Sequence, residues 1–417
     1  MTEKLERSLT YPLLTLYGLG TILGAGIYVL IGKVAVTSGL YAPLAFLTAA
    51  ILAGFTGYCY SALSSRFPQS AGEAAYLQEG FGFKPLSTLV GWMVIATGVV
   101  SAATIANGFV GYLHVFIPIE KFWAITALLL VLFLIASWGV MESVGIAALI
   151  TTLEVVGLMM VVLVAGDSLA QLPQRLPELL PSINDGGAYF SILLGAFLAF
   201  YAFIGFEDMV NMAEEVKNPE KTLPRAIISV LVLSSALYLL IAVIAVLSTP
   251  LADLQQSQAP MREILMANGG QYAPQAGLII SLISLVAVVN GALVQIIMGA
   301  RVMYGMGRQG LAPSWLAQVS KHFKTPVLAT GLISAIVWVL AAALPLTLLA
   351  KITSYIIVVV FLLVNLALVR ILKKEVEPPS SSMRIGIWVP VVASLMCLLF
   401  LGVQTYQILS GGPVAGH

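Results

Sequence analysis

Charge is scarce in this sequence. Of 417 residues, only 9% are Asp, Glu, Lys or Arg, while 59% are hydrophobic and the mean hydropathy is +1.00. Soluble domains carry about 25% charge, so the composition argues against a water-soluble globular fold. A net charge of +1 offers no basic stripe for nucleic acid. The two cysteines, Cys59 and Cys397, both sit in apolar runs and form neither a disulfide framework nor a metal-ligand spacing. The three histidines, His114, His322 and His417, are scattered and leave zinc without a ligand set. H-E-x-x-H and G-x-S-x-G are both missing, so an enzyme is not expected. No cofactor is implied. A secretory signal is missing too. MTEKLERSLT mixes two acids with two bases, and the long apolar run after it has no small-residue cleavage site. The first segment therefore reads as a retained membrane helix.

What the chain has in abundance is apolar runs of helical length. They lie at roughly 11–36, 41–64, 86–116, 122–139, 143–165, 188–216, 224–248, 272–306, 326–344, 347–371 and 386–409. A bilayer span needs roughly 20 apolar residues, so eleven membrane helices are expected. The ten-residue alternation of a membrane β-barrel is lacking. Four connections are longer than the rest, at 65–85, 166–187, 249–271 and 307–325, and the glycine-rich tail GGPVAGH is expected to be disordered.

The bases fix an expected orientation. With the N-terminus in the cytoplasm, fifteen of the twenty fall inside: Lys4, Arg7, Arg66, Lys84, Lys217, Lys221, Arg225, Arg301, Arg308, Lys321, Lys324, Arg370, Lys373, Lys374 and Arg384. Lys33, Lys121, Arg175, Arg262 and Lys351 fall outside. A miscounted span would scramble this division, so the positive-inside asymmetry supports orientation and count together. An odd count puts the C-terminus outside.

Of nineteen acids, sixteen are expected in loops, tails or span ends. Glu154 in the fifth span, and Glu207 and Asp208 in the sixth, are not. A charge at the centre of a membrane helix costs about 2.5–3.5 kcal/mol, so such a group needs a partner, a watery cavity or a proton. Glu154 lies about eleven residues into its span, roughly 16 Å deep. It reads either as a structural acid or as a coupling or ion site. Asp208 reads as structural, on the polar side of a helix leading to the cytoplasm.

Two spans look interrupted. The first contains Gly24-Ala25-Gly26 near mid-depth, and the sixth contains Gly205 between aromatics and acids. Glycines there let a helix open, and freed N–H groups at the start of a half-helix attract an anion. The competing reading is close helix packing through Gly20-x-x-x-Gly24. Correspondence bears on the choice. Spans one and six are five apart and run in opposite directions, and paired interruptions in inverted repeats point to a transporter site.

At these residues the chain resembles a known family. Gly24-Ala25-Gly26-Ile27-Tyr28 is similar to the G-[SA]-G-I-[FY] signature of the amino acid–polyamine–organocation (APC) superfamily. FIGFEDMVNMAEEVKNPEKTLPRAI, residues 203–227, resembles its sixth helix and the loop that follows. ARVMYGMGRQGLAP at 300–313 and PQSAGEAAYLQEGFG at 68–82 resemble its patterns after helices eight and two. The four matches stand in family order and spacing. The resemblance covers residues 11 to about 372.

The resemblance implies an all-α integral membrane protein with a LeuT-type five-plus-five inverted repeat, helices 1 and 6 being interrupted. Residues 1–372 would form one transporter core, with repeats at about 11–165 and 188–372. Residues 373–417 would add a loop, helix 11 and a short tail. The implied function is secondary transport of amino acids by alternating access, across a prokaryotic cytoplasmic membrane. By family pattern the Gly24, Ala25 and Gly26 amides hold the substrate carboxylate. The backbone at Phe203, Ile204 and Gly205 accepts from its amino group, Tyr201 closes over it, and Glu207 gates the path. Side-chain pocket candidates are Ile27, Ser101, Ala102, Phe206, Asn290 and Gln295. The position of Glu154 is a lysine in several proton-coupled relatives, so the lysine mechanism does not carry over directly.

The leading expectation is proton-coupled uptake of neutral amino acids, with protons as the coupling ion and lipid as surroundings. Exchange without ions, and transport of cationic amino acids or amines, are the transporter alternatives. A non-transporting sensor is the remote one. No oligomeric state follows from the sequence.

Overall fold

The computed structural model describes residues 7, 9–69, 72–138, 144–308, 310, 312–320, 323, 325–374, 379 and 382–410, with only the backbone at 25 and 144–147. The tail GGPVAGH, Lys4, Lys321, Lys324, His322 and His417 lie outside them. Within a bilayer every peptide group must be satisfied by the chain itself, which leaves helices as the form for these apolar runs. α1 (Tyr11–Leu23) and α2 (Ala25–Ser38) form the first span and α3 (Ala42–Arg66) the second. After the short α4 (Gly72–Phe81) come α5 (Lys84–Leu113), α6 (Lys121–Trp138) and α7 (Val144–Ala165). The connection holding α8 (Leu172–Arg175) leads to α9 (Gly186–Ala199), which opens the sixth span. α10 (Pro219–Ser248) is the seventh span, and α11 (Leu251–Gln256) and α12 (Pro260–Asn268) lie in the connection after it. α13 (Ala273–Arg308), α14 (Val327–Ala343), α15 (Leu346–Lys374) and α16 (Trp388–Leu409) complete the set.

The helices coincide with the eleven expected apolar runs. Two need comment. Tyr11–Arg66 is one continuous apolar stretch of 56 residues holding two spans, turned by a 3-10 segment at Gly39–Tyr41. α14 has 17 residues, roughly 26 Å of helix, a little short of the bilayer core. The long connections are more ordered than expected, since α4, α8, α11 and α12 all fall within them. α10 begins at Pro219 rather than near 224. Asn218, at φ 49, turns the chain, and proline suits a first turn whose N–H would go unpaired anyway.

Both expected interruptions are present. The first span breaks at Gly24, with α1 ending at Leu23 and α2 starting at Ala25. In the sixth, α9 gives way to a 3-10 turn at Phe200–Phe203, extended Ile204, and Gly205 at φ 124. A 3-10 segment, Glu207–Glu215, follows. Gly205 has to be glycine: besides its φ, a Cβ there would sit 2.6 Å from the Thr21 carbonyl oxygen. The two glycine readings of the first span divide by residue. A Cβ on Gly20 would collide with the Thr151 hydroxyl, so Gly20 serves close packing, whereas Gly24 has nothing nearer than 3.6 Å and marks the break.

The broken helices lie against each other in the middle of the molecule. In the most apolar 18 residues of Tyr11–Arg66, 82% are buried, and in those of Gly186–Glu215 78%, against 33% for Ala148–Leu179, whose exposed leucines face outward. Around them α3 packs on α10, α5 on α13 and α15, and α1 on α7 and α10. Leu9 and the end of the sixth span are joined by backbone: Leu9 N donates to the Glu215 oxygen at 3.0 Å, and Lys217 N donates to the Leu9 oxygen at 2.9 Å.

Candidate functional site

Irregular backbone inside a membrane protein is tolerated where it is buried or lines a cavity, and here it does both. A Cβ on Gly26 would lie 2.6 Å from the Ala202 Cα, so the two breaks touch. The Thr21 hydroxyl lies 2.9 Å from the Gly18 oxygen and 3.0 Å from the Gly205 oxygen, donating across to the sixth span. Tyr238 of α10 completes the junction, its hydroxyl 2.8 Å from the Ile22 oxygen and 2.9 Å from the Ala202 oxygen.

Beside this junction is a small cavity of about 20 Å³, lined by Thr21, Ile22 and Gly26 from the first span and Tyr201 and Ile204 from the sixth. Ser101 and Ile105 of α5 and Gly291, Val294 and Gln295 of α13 close it. The first amides of α2 open beside it without a side-chain cap, as the first turn of a helix leaves its N–H groups free. Tyr201 is fixed by Ser101: the hydroxyls are 2.9 Å apart, and the Tyr201 hydroxyl is 3.2 Å from the Ser101 carbonyl oxygen. Gln295 donates toward the Asp208 carboxylate at 3.5 Å.

Of the residues singled out from sequence, Gly26, Ser101, Tyr201, Ile204 and Gln295 line this cavity. Gly24, Ala25 and Gly205 supply the breaks beside it. Ile27 and Ala102 are buried in the core. Phe203 packs edge-on against Tyr238 at 5.1 Å. Phe206 joins Tyr60 and Phe361 in an aromatic cluster, with centroids 5.5 and 5.2 Å away. Glu207 turns back on its own break, accepting from Gly205 N at 2.8 Å. Thr21, Ile22, Ile105, Gly291 and Val294 were not anticipated. Ile105 and Gly291 sit one helical turn from Ser101 and Gln295, so the period of an α-helix would have found them.

Three acids need fuller description. Glu154 is fully buried, and neither carboxylate oxygen has a hydrogen-bond partner among the described residues. Asn290 of α13 approaches it, its own Oδ1 also unpaired. The backbone oxygen of Glu154 accepts from the Tyr28 hydroxyl at 2.5 Å, and the Tyr28 oxygen accepts from the Tyr112 hydroxyl at 2.5 Å. Asp208 is buried rather than facing water on a polar helix side. Glu73, expected in a loop, is buried in α4 and accepts from the Tyr60 hydroxyl at 3.2 Å. Burial pushes its carboxyl up to about 7, and the nearby Asp208 charge adds to this against the opposing bonds from its own backbone and from Tyr60.

The amino acid permease family model matches residues 9–415. The chain belongs to this family. It is an integral membrane amino acid transporter of the APC superfamily and not an enzyme. Among similar proteins, the branched-chain amino acid permease BcaP of Bacillus subtilis is 28% identical, over 96% of this chain and 88% of BcaP. The mitochondrial cationic amino acid transporter 3 of Arabidopsis thaliana is 30% identical, over 90% of this chain and 64% of that one. The methylthioribose transporter of Bacillus subtilis is 27% identical, over 96% and 89%. The crystal structure of MhsT in complex with L-phenylalanine superposes with a TM-score of 0.65 at 13% identity, over 95% of this chain and 99% of that one. The permease therefore has the LeuT-type fold.

Proposed function

We propose that this permease takes up neutral amino acids with protons across a prokaryotic cytoplasmic membrane by alternating access. In this reading its N-terminus lies in the cytoplasm and its C-terminus outside. The observation that carries the substrate reading is the lining of the cavity: among the described residues no charged side chain faces it, while the uncapped amides of α2 open onto it. A zwitterion needs donors for its carboxylate and acceptors for its ammonium. The amides at Gly24, Ala25 and Gly26 take the carboxylate. The Phe203 and Ile204 carbonyls take the ammonium, since the Gly205 carbonyl already accepts from Thr21. Tyr201 closes over the substrate, and the side chain extends toward Ile105, Val294 and Gln295. The core at 1–372 is two inverted repeats, about 11–165 and 188–372, with 373–417 added to it.

Glu154 is the proton carrier in this reading. An ionised carboxylate with no hydrogen-bond partner is costly to bury, so Glu154 crosses the substrate-loaded occluded state with its proton on and gives it up to the cytoplasm once the inward path admits water. Its position matters as much as its chemistry, because Tyr28, two residues beyond Gly26, is bonded to its backbone. Proton gain or loss there acts on the half-helix that holds the substrate carboxylate. Glu207, bonded to Gly205 N, steadies the other break and gates the path.

A second reading, a cationic substrate, has one contact in its favour: Gln295 lines the cavity and reaches Asp208. Uptake into proteoliposomes under an inward proton gradient tests both. Accumulation of leucine-like amino acids that collapses with a protonophore is the expected result. In Glu154→Gln, gradient-driven accumulation falls at least about tenfold while counterflow exchange persists. Selective uptake of lysine or arginine establishes the second reading. Uptake only into vesicles preloaded with amino acid makes the protein an exchanger and Glu154 a structural acid.

A further inference from the structure

The outer face of α3 carries a hollow that the substrate cavity does not use. Ile51, Gly54, Phe55 and Tyr58 form one wall, spaced as a single helical stripe, and Arg384 and Trp388 stand opposite. It has a volume of about 510 Å³ and is open to the surroundings of the helix bundle. That is within the size range of small-molecule sites.

The hollow is built rather than left over. Its far wall is the segment entering α16, which is fastened to the end of α3. Arg66 donates to the Met383 oxygen at 2.8 Å, and Met383 N donates to the Ser65 hydroxyl at 2.9 Å. Phe55 meets Trp388 edge-on at 6.2 Å. Gly386 leaves room for the Trp388 ring, since a Cβ there would stand 2.9 Å from it. At the floor a Cβ on Gly54 would meet nothing within 4 Å, so no neighbouring side chain fills the space.

Its chemistry is divided along its length. The α3 wall is apolar and aromatic. Arg384 stands exposed at the end where α3 finishes in Arg66 and α15 finishes in Lys373 and Lys374. Glu375 and Glu377 of the same connection lie outside the described residues. Tyr and Trp favour the level of lipid headgroups, and basic pockets at helix ends on the base-rich side bind anionic headgroups. We infer that the hollow holds one anionic glycerophospholipid, an acyl chain along Ile51–Tyr58 and the phosphate against Arg384. A second copy of the chain fits less well, because a two-fold contact through this face would set its bases against themselves.

Native mass spectrometry of the full-length protein tests this. The protein is equilibrated with equal amounts of phosphatidylglycerol and phosphatidylcholine of identical acyl chains. One phosphatidylglycerol is retained with about fivefold preference, the effect of one base at the headgroup. Arg384→Gln keeps a bound lipid but brings the preference close to one, and Gly54→Leu loses lipid of both kinds. Gel filtration and thermal unfolding show that each variant is folded. Equal retention of the two lipids by the wild type overturns the inference, as does a retention pattern that neither substitution changes. Dimers that cross-link through a cysteine at Ile51 would also overturn it, by assigning the face to a second copy.

Discussion

Glu73 and Glu154 are both carboxyls buried by the fold, but only one was visible as such in the sequence. Glu154 stands in an apolar run, where any acid is conspicuous. Glu73 stands in a polar stretch between spans, and nothing there marks α4 as folded inward, with Glu73 and Tyr76 both set against Tyr60 of α3. Its titration gives a direct check. The folded carboxyl titrates at about 7 against 4.5 when free. Between those values the folded protein holds a proton that the unfolded chain has released. Stability therefore falls as pH rises through that window and levels off above it, a loss on the order of 3 kcal/mol. Glu73→Gln keeps an acceptor for Tyr60 and removes the titration. Melting curves in detergent from pH 4.5 to 8 should fall more steeply for the wild type, and the variant should melt higher above pH 7. Tyr238 was equally hidden. A tyrosine in an apolar span looks like packing, and only the paired carbonyls of Ile22 and Ala202 show that it joins two helices.

At the scale of elements, the breaks were legible because glycine in a membrane helix needs a reason, and the sixth-span glycine sat among acids and aromatics. Which glycine does what was not legible, because that depends on the neighbour across the gap. Gly26→Ala would drive a Cβ to 2.6 Å from the Ala202 Cα, a backbone atom that cannot swing aside. Overpacking of this kind costs about 1–3 kcal/mol, and here it also parts the two broken helices, so melting temperature and uptake should both drop. Gly299 of α13 provides the contrast. A Cβ there meets Ile333 at 3.6 Å, an ordinary contact, so Gly299→Ala should raise stability by about 0.5–1 kcal/mol without slowing uptake. The short helices in the connections escaped notice because amphipathic pieces of four to ten residues give too little periodicity to separate them from loops.

For the molecule as a whole, the eleven apolar runs and the uneven division of bases are what the proposed orientation rests on. A cysteine placed at Lys374 should react with a membrane-impermeant maleimide only after permeabilisation, and one at Ser410 should react in intact cells. The native Cys59 and Cys397 are buried and should give little background. The count was readable because each span is an apolar run, whereas the way the helices nest was not, since lipid and a neighbouring helix ask for the same side chains. One small feature reaches across this arrangement. The main-chain pair between Leu9 and residues 215–217 ties the entrance of the first span to the exit of the sixth. Peptide groups make this tie, so nearly any side chain can be exchanged there without cutting it, and proline, which has no N–H, is the residue that would. The two broken helices are thereby yoked at one end. In the proposed transport cycle the joined ends would then travel as a pair, so that the substrate meets one lever rather than two.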